Sequence, residues 1–397
     1  MISMYDEFVG MRKHLIGCNL RGTMREKCSD FIVIELFQGK PVTELEFSGK
    51  GEYTAFVLKK ENIDTQNAIR EISRKLKISN KRFRFAGNKD KRAVTFQLVT
   101  VYGIEPSQLL SIRVPNIEIL NPQKTEKPIK MGSLSGNRFK ININCFENPE
   151  EKLKYFEDRI NEIGGVPNFF GIQRFGSKRP ITHMVGKMIV KGDFSSAVDW
   201  YLGHPFETES ESSIEARKVY DETKDYKKCL KLFPNHLRYE RIILEHLAKH
   251  PRDFVGALRR LPRPLLRLFV HAYQSYLFNL ILSKRIDEKL PIVESLEGDI
   301  SKNNLPTGVL FGHDVPLAGG KMGEIEREII EKEYLRREDF LIKSMPELSS
   351  PGLRRELALV VKGFEYDILN GKVEIRFDLP KGVYATSFLR ELMERIN

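Results

Sequence analysis

The stretch KRFRFAGNKDKRAVTFQLVTV, Lys81 to Val101, joins a cation-rich loop to a strand and decides how the first third of the chain folds. Its second half, Ala93 to Val101, is β-branched and aromatic, the composition of a pleated strand. Its first half, Lys81 to Arg92, holds six Lys or Arg in twelve residues and a single acid, Asp90. With a reference pKa of about 3.9 and cations on either side, that carboxylate is ionised at neutral pH. A basic segment attracts phosphate and an embedded anion repels it, so binding alone gives no reason for Asp90. A carboxylate on a loop just before a rigid strand is a candidate nucleophile for chemistry on a nucleic acid. The plainer alternative is a turn aspartate paired with Lys89 or Arg92.

Working outward, FIVIELF (Phe31 to Phe37) and EYTAFVLKK (Glu52 to Lys60) also read as strands. Asp64 and Thr65 offer N-cap chemistry for a helix whose Ile69, Ile72 and Leu76 keep helical spacing. RFKININ (Arg138 to Asn144) alternates, with Phe139, Ile141 and Ile143 on one face. From about Pro180 to Glu356 the pattern turns helical, with long runs at Arg263 to Ile286 and Met322 to Phe340. The apolar stretch Leu268 to Ser283 falls short of the roughly 20 residues that span a bilayer and is expected to be a buried helix. The end returns to a strand, KVEIRFDL (Lys372 to Leu379), and a short helix, Ser387 to Ile396. Strand-rich ends around a helical middle predict one sheet domain interrupted by an insertion, with substrate in a cleft between the two.

Composition bounds the partner. Lys plus Arg is 65 against 54 acids, a net charge of +11 that favours a polyanion. A length of 397 residues suggests two domains. The four cysteines show neither a C-x-x-C pair nor zinc spacing, as expected of free thiols in a reducing cytoplasm. The N-terminus lacks the apolar core and cleavage site of a signal peptide. A cytoplasmic protein without membrane attachment or an evident obligate protein partner is therefore expected. HLAKH (His246 to His250) lacks the glutamate of a zinc-protease motif, and AGGKMG (Ala318 to Gly323) lacks the P-loop pattern, so no metal or nucleotide site is assigned. The acidic run EIEREIIEKE (Glu324 to Glu333) is expected to be a solvated helix face.

Five blocks then carry a resemblance. AGNKDKRAVTFQ (Ala86 to Gln97), DFIVIE (Asp30 to Glu35), LSGNRFKI (Leu134 to Ile141), PNFFGIQRFG (Pro167 to Gly176) and RFDLPKGVYATSFLREL (Arg376 to Leu392) resemble the TruD family of tRNA pseudouridine synthases. The resemblance implies an α+β fold: a pseudouridine-synthase domain with a mixed β-sheet, residues 1–167 and 356–397, carrying an inserted, largely helical α/β TruD-specific domain, residues 168–355. It implies isomerisation of uridine to pseudouridine in tRNA, at uridine 13, with Asp90 as nucleophile on a flipped-out base. That reaction is redox-neutral and consumes no cosubstrate, so no cofactor is expected.

The same resemblance gives Asp90 a basic partner just before the D-F motif, Arg25, with Lys27 as the nearby alternative. It assigns substrate contacts to Phe31, Asn168 and Tyr384 and places Phe170 near the nucleophile. Flat rings stack on a flipped base, and an amide both donates to it and accepts from it. Lys89, Lys91, Arg92, Arg138 and Arg174 are the expected RNA contacts, with Arg174 equally able to brace the active-site loop. Two rival readings are an RNA-binding protein without activity and an RNA methyltransferase, the latter lacking a glycine-rich cofactor loop after an early strand.

Overall fold

Residues 3–395, apart from Asp90 and Asn370, are described in a computed structural model. They form two units, Ile16–Val166 with Leu359–Asn397, and Ile2–Leu15 with Pro167–Ala358.

The first unit is built on period-2 alternation. Its main strands are β1 (Phe31–Phe37), β2 (Tyr53–Glu61), β3 (Val94–Tyr102), β4 (Ile117–Thr125), β5 (Gly136–Cys145), β6 (Lys362–Leu369) and β7 (Lys372–Pro380). They lie in the order β6-β7-β5-β1-β3-β2-β4, and three short strands complete a ten-stranded sheet. The sheet is mixed. β1 and β3 run parallel with Ile32 opposite Val94, and the other neighbours on this path are antiparallel. Phe31, Phe139, Ile141, Ile375 and Phe377 are buried together beneath the helices Glu150–Ile163 and Ala385–Leu392, where Phe377 stacks 4.0 Å from Phe388. The helix Thr65–Leu76 starts where expected, with the Asp64 carboxylate accepting from the Asn67 N–H, and packs Ala68, Ile69 and Ile72 against Phe56, Leu58 and Val99.

The last helix ends four residues before the expected Ile396 and begins two before Ser387. Tertiary pairing sets its end: the Leu20 N–H donates to the Leu392 carbonyl at 2.8 Å and the Glu394 N–H to the Leu20 carbonyl at 3.0 Å. The chain there is drawn into a bridge instead of another turn.

The second unit surrounds the 25-residue helix Arg263–Asp287, whose Leu266, Phe269, Tyr273, Leu277, Phe278 and Ile281 are buried. The helix Thr182–Val190 crosses it at Gly186, where a Cβ would run into the Phe269 carbonyl. Antiparallel strands Ser301–Lys302, Leu305–Leu310 and Leu353–Glu356 form a small sheet beside the helices. Residues 3–15 belong to this unit, although the sequence expectation assigned them to the first. Two polar side chains of the long helix hold them there: Asn279 Nδ2 donates to the Val9 carbonyl at 2.9 Å and Ser283 Oγ to the Gly10 carbonyl at 2.8 Å. Among the described residues no helix is long and apolar enough to cross a membrane.

The acidic run is not solvated throughout. Glu326, on the helix Gly320–Lys332, is fully buried and accepts from the Val309 and Ala318 N–H groups at 3.1 and 2.8 Å. Its partner is Arg354 at 2.8 Å, and burial still raises its carboxyl above the usual carboxylate range.

Candidate active site

Asp90 lies outside the described residues, but the loop leading to it is held by a set of buried polar groups. The Lys89 N–H donates to Thr65 Oγ1 at 2.9 Å, and Thr65 donates in turn to Gln97 Oε1 at 3.0 Å. Gln97 donates from Nε2 to the Gly87 carbonyl. Lys60, fully buried, donates to the carbonyls of Ile63 at 2.8 Å and Lys89 at 3.4 Å. The Lys89 ammonium turns inward, 3.1 Å from Glu35 Oε1 and 2.6 Å from Asn137 Oδ1, with its side chain 9% exposed. Lys89 was expected on phosphate. It is instead half of a buried ion pair. Glu35 also accepts from the Leu98 N–H at 2.9 Å, and burial outweighs Lys89 to push its carboxyl upward. Sequence reasoning gave Thr65 only a helix-capping role and passed over Glu35, Lys60 and Gln97. The available signal was polar residues placed inside otherwise apolar strands and at a helix start, since such groups stay buried only when bonded.

Just after the short strand Gly22–Met24 of the same sheet, Arg25 has a left-handed backbone, φ 60°, and its guanidinium carbon lies 3.8 Å from the centre of the Phe31 ring. Its carbonyl accepts from Arg92 Nη2 at 3.3 Å, which ties Arg25 to the chain just after Asp90. Lys27, the alternative partner, is exposed, and its backbone N–H donates to Asp30 Oδ2 at 2.7 Å. Phe31 is a core residue, 1% exposed, with Phe139 at 6.0 Å and Arg25 over its ring, so a base that stacks on it must first displace Arg25.

The remaining candidates of this unit divide. Lys91 and Arg92 are exposed. Tyr384 is 38% exposed just before the last helix, where a base can reach its ring. Arg138, expected on RNA, directs its fork at Asp378, with Nε and Nη2 at 2.9 and 3.0 Å from the two carboxylate oxygens. That bidentate hydrogen bonding raises the Arg138 pKa, and the geometry uses the edge that would clasp a phosphate.

In the second unit, Asn168 is 4% exposed and its amide is engaged. Nδ2 donates to the Glu356 carbonyl at 2.8 Å and Oδ1 accepts from Arg355 Nη2. An amide expected to face uracil is therefore held by two strand residues. Phe170 has its N–H and carbonyl clasped by the Asn279 amide at 2.9 and 3.0 Å. Its ring carries Arg355 at 4.1 Å and Arg174 at 5.6 Å. Arg174 donates from Nε to Ser275 Oγ at 3.1 Å. Arg355, which holds Asn168 and covers Phe170, had no signal in the sequence beyond being one of two adjacent arginines.

A family model for tRNA pseudouridine synthase D (TruD) matches residues 8–304 and 301–392. A protein named "Probable tRNA pseudouridine synthase D" from Methanopyrus kandleri is 44% identical over 356 residues, covering 89% of this chain and 88% of its own. One of the same name from Thermococcus sibiricus is 38% identical over 427 residues, covering 98% of this chain and 99% of its own. A crystal structure named "Putative tRNA pseudouridine synthase D (TruD)" from Methanosarcina mazei superposes with a TM-score of 0.89 at 36% identity, covering 100% of this chain and 99% of that chain.

Proposed function

The chain belongs to the TruD family of tRNA pseudouridine synthases, and from that premise we propose that it isomerises uridine 13 of tRNA with Asp90 as the nucleophile. The observation that carries the assignment of Asp90 is the buried set of Thr65, Gln97, Lys60 and Glu35 around Gly87 and Lys89. Polar groups buried at this density hold a backbone in one place, which a nucleophile requires and a solvated turn does not.

Pseudouridine formation breaks the bond from ribose C1′ to uracil N1 and makes one from C1′ to C5. The C5 proton leaves and N1 gains one, so atoms and charge balance without a cosubstrate. An ionised carboxylate adds to a carbon without prior deprotonation, either at uracil C6 or at C1′. Arg25 is the proposed cationic partner of Asp90, because Arg92 anchors its carbonyl and its charge lies over Phe31. A guanidinium stays protonated throughout and stabilises an anionic neighbour. Phe31, Asn168, Phe170 and Tyr384 are the proposed substrate contacts, and Lys91 and Arg92 the phosphate contacts beside the nucleophile.

The test is site-resolved detection of pseudouridine in unmodified tRNA transcripts, without added metal or cofactor, for the wild type and Asp90→Asn. The expected result is product at uridine 13 with no change in RNA mass, lost in Asp90→Asn while tRNA affinity stays within a few fold. Product at the normal rate from Asp90→Asn would overturn the nucleophile. Wild-type binding without product on any tRNA would leave an RNA-binding protein in place of the isomerase.

A further inference from the structure

We propose that Met131 is a wedge that enters the base stack of the RNA and holds open the gap left by the extruded uridine. The inference rests on the RNA-modifying reading and adds to it a residue that keeps the target base out.

Met131 stands on a turn that is anchored on both sides. Before it, Ile129 is 8% exposed and its N–H donates to Thr100 Oγ1 at 3.1 Å. After it, Leu134 packs against the buried Val57, Ala86 and Leu98. Between these anchors Gly132 has a left-handed backbone, φ 77°, a conformation that favours glycine. Ser133 closes the turn, its N–H and Oγ donating to the Lys130 carbonyl at 3.1 and 2.7 Å. Met131 itself is 75% exposed.

The turn joins the two loops that carry proposed substrate residues. The Gly132 N–H donates to the Ala86 carbonyl at 2.7 Å. Ala86 precedes Asp90 by four residues, a length of chain that spans at most about 14 Å. The Gly132 carbonyl accepts from Lys381 Nζ at 2.9 Å, and the Lys381 N–H donates to the Ser135 carbonyl at 3.2 Å. Lys381 lies three residues before Tyr384. An apolar tip is thereby held by the backbone that leads to the proposed nucleophile and by the one that leads to a proposed ring contact.

A base that reacts outside its stack leaves a gap, and the RNA regains its stacking by taking the base back. Apolar side chains inserted between base steps oppose that return, and methionine is among those that serve. Its unbranched thioether is polarisable and packs well on flat rings. Lys127 and Lys130 just before the tip, and Lys381 bonded to it, are exposed cations that suit the phosphates on either side of the gap. A single apolar side chain among the exposed Lys130, Gly132 and Ser133 is too small a patch for a protein partner, which buries about 800 Å² on each side.

The test places 2-aminopurine directly 3′ of uridine 13 in a tRNA, where its fluorescence rises as its stacking neighbour leaves. The full chain carrying Asp90→Asn holds the complex without turnover, and pseudouridine formation is measured separately with Asp90 intact. Met131→Ala is compared with Met131→Leu, which keeps the apolar bulk, and with Leu369→Ala, a control at a residue 72% exposed on β6. The expected result is that Met131→Ala loses most of the rise and about tenfold in kcat, with tRNA affinity within about twofold of wild type. Met131→Leu and the control keep the rise and hold kcat within about threefold, and all three melt like the wild type. No rise at all, or a rise that Met131→Ala keeps in full, would overturn the wedge. So would a Met131→Leu variant as impaired as Met131→Ala, or a loss that falls on tRNA affinity with kcat unchanged. The two readings fail separately. A rise that depends on Met131, with no pseudouridine formed when Asp90 is intact, refutes the isomerase alone. Pseudouridine made equally by wild type and Met131→Ala refutes the wedge alone.

Discussion

The guanidinium of Arg25 lies on the face of Phe31, 3.8 Å from the ring centre, at a residue whose backbone is left-handed. The cation–ring contact on the buried Phe31 ring is worth about 1–2 kcal/mol, and a left-handed backbone costs a non-glycine residue roughly 1–2 kcal/mol. The two terms nearly cancel in Arg25→Gly, which removes the cation and relieves the backbone together. Stability of that variant by denaturant titration is expected within about 1 kcal/mol of wild type. Product formation is expected to fall more than tenfold with tRNA affinity largely kept. Activity within twofold of wild type would remove Arg25 from the chemistry.

The buried pair of Lys89 and Glu35 gives a second, sharper prediction. Removing one partner of such a pair costs about 3–5 kcal/mol, because the other charge is left buried and alone. Lys89→Met should therefore be strongly destabilised at pH 8, and the loop before Asp90 should lose its anchor and its activity. The pH sign is fixed by Glu35, whose carboxyl is already raised by burial and rises further without Lys89. A raised carboxyl binds its proton more tightly in the folded state, so the variant regains stability as pH falls from above that raised pKa toward about 4.3. Adding Glu35→Gln should recover most of the loss at pH 8. A Lys89→Met variant as stable as wild type at that pH would show the pair to be idle.

These two cases mark how much the sequence disclosed. The strands at Phe31–Phe37 and Val94–Tyr102 were legible because β-branched and aromatic residues dominate them, and the helix Thr65–Leu76 because its cap and its apolar spacing agree. The bonds made by polar residues inside those elements were not. Glu35 meets Leu98 across 63 positions and Lys60 meets Lys89 across 29, and no local pattern encodes either partner. The same limit hid Glu326, whose burial depends on Arg354, 28 residues onward. Arg25 and Phe31 were picked out by motif resemblance, yet the stacking of one on the other is a tertiary fact.

Arg138 tests the distinction between a cation that is present and one that is available. Its fork is occupied by Asp378 on the neighbouring strand, where the two residues face each other in register. Partly exposed pairs of this kind contribute about 0.2–1 kcal/mol. Arg138→Gln is expected to lower stability by that amount and to leave both tRNA affinity and its salt slope unchanged. A slope reduced by about one unit would return Arg138 to the phosphate contacts.

The second unit should be acid-sensitive through His183, which packs against the rings of Phe8, Phe175 and Tyr276 at 5.0, 5.2 and 4.9 Å. Burial, opposed weakly by backbone contacts and aided by Lys187, pulls its pKa down to about 3. The unfolded chain protonates this histidine near pH 6.5, well before the folded one does. Its contribution is therefore whole above pH 6.5 and is lost as pH falls toward 3, by up to about 1.4 kcal/mol per pH unit. The single tryptophan of the chain, Trp200, lies in the same unit, so urea titrations followed by its fluorescence report on it. Between pH 6.5 and 4.5 the wild type should lose stability faster than His183→Phe, which keeps an aromatic ring and has nothing to protonate. Parallel pH profiles for the two proteins would show that His183 titrates alike folded and unfolded, against its burial.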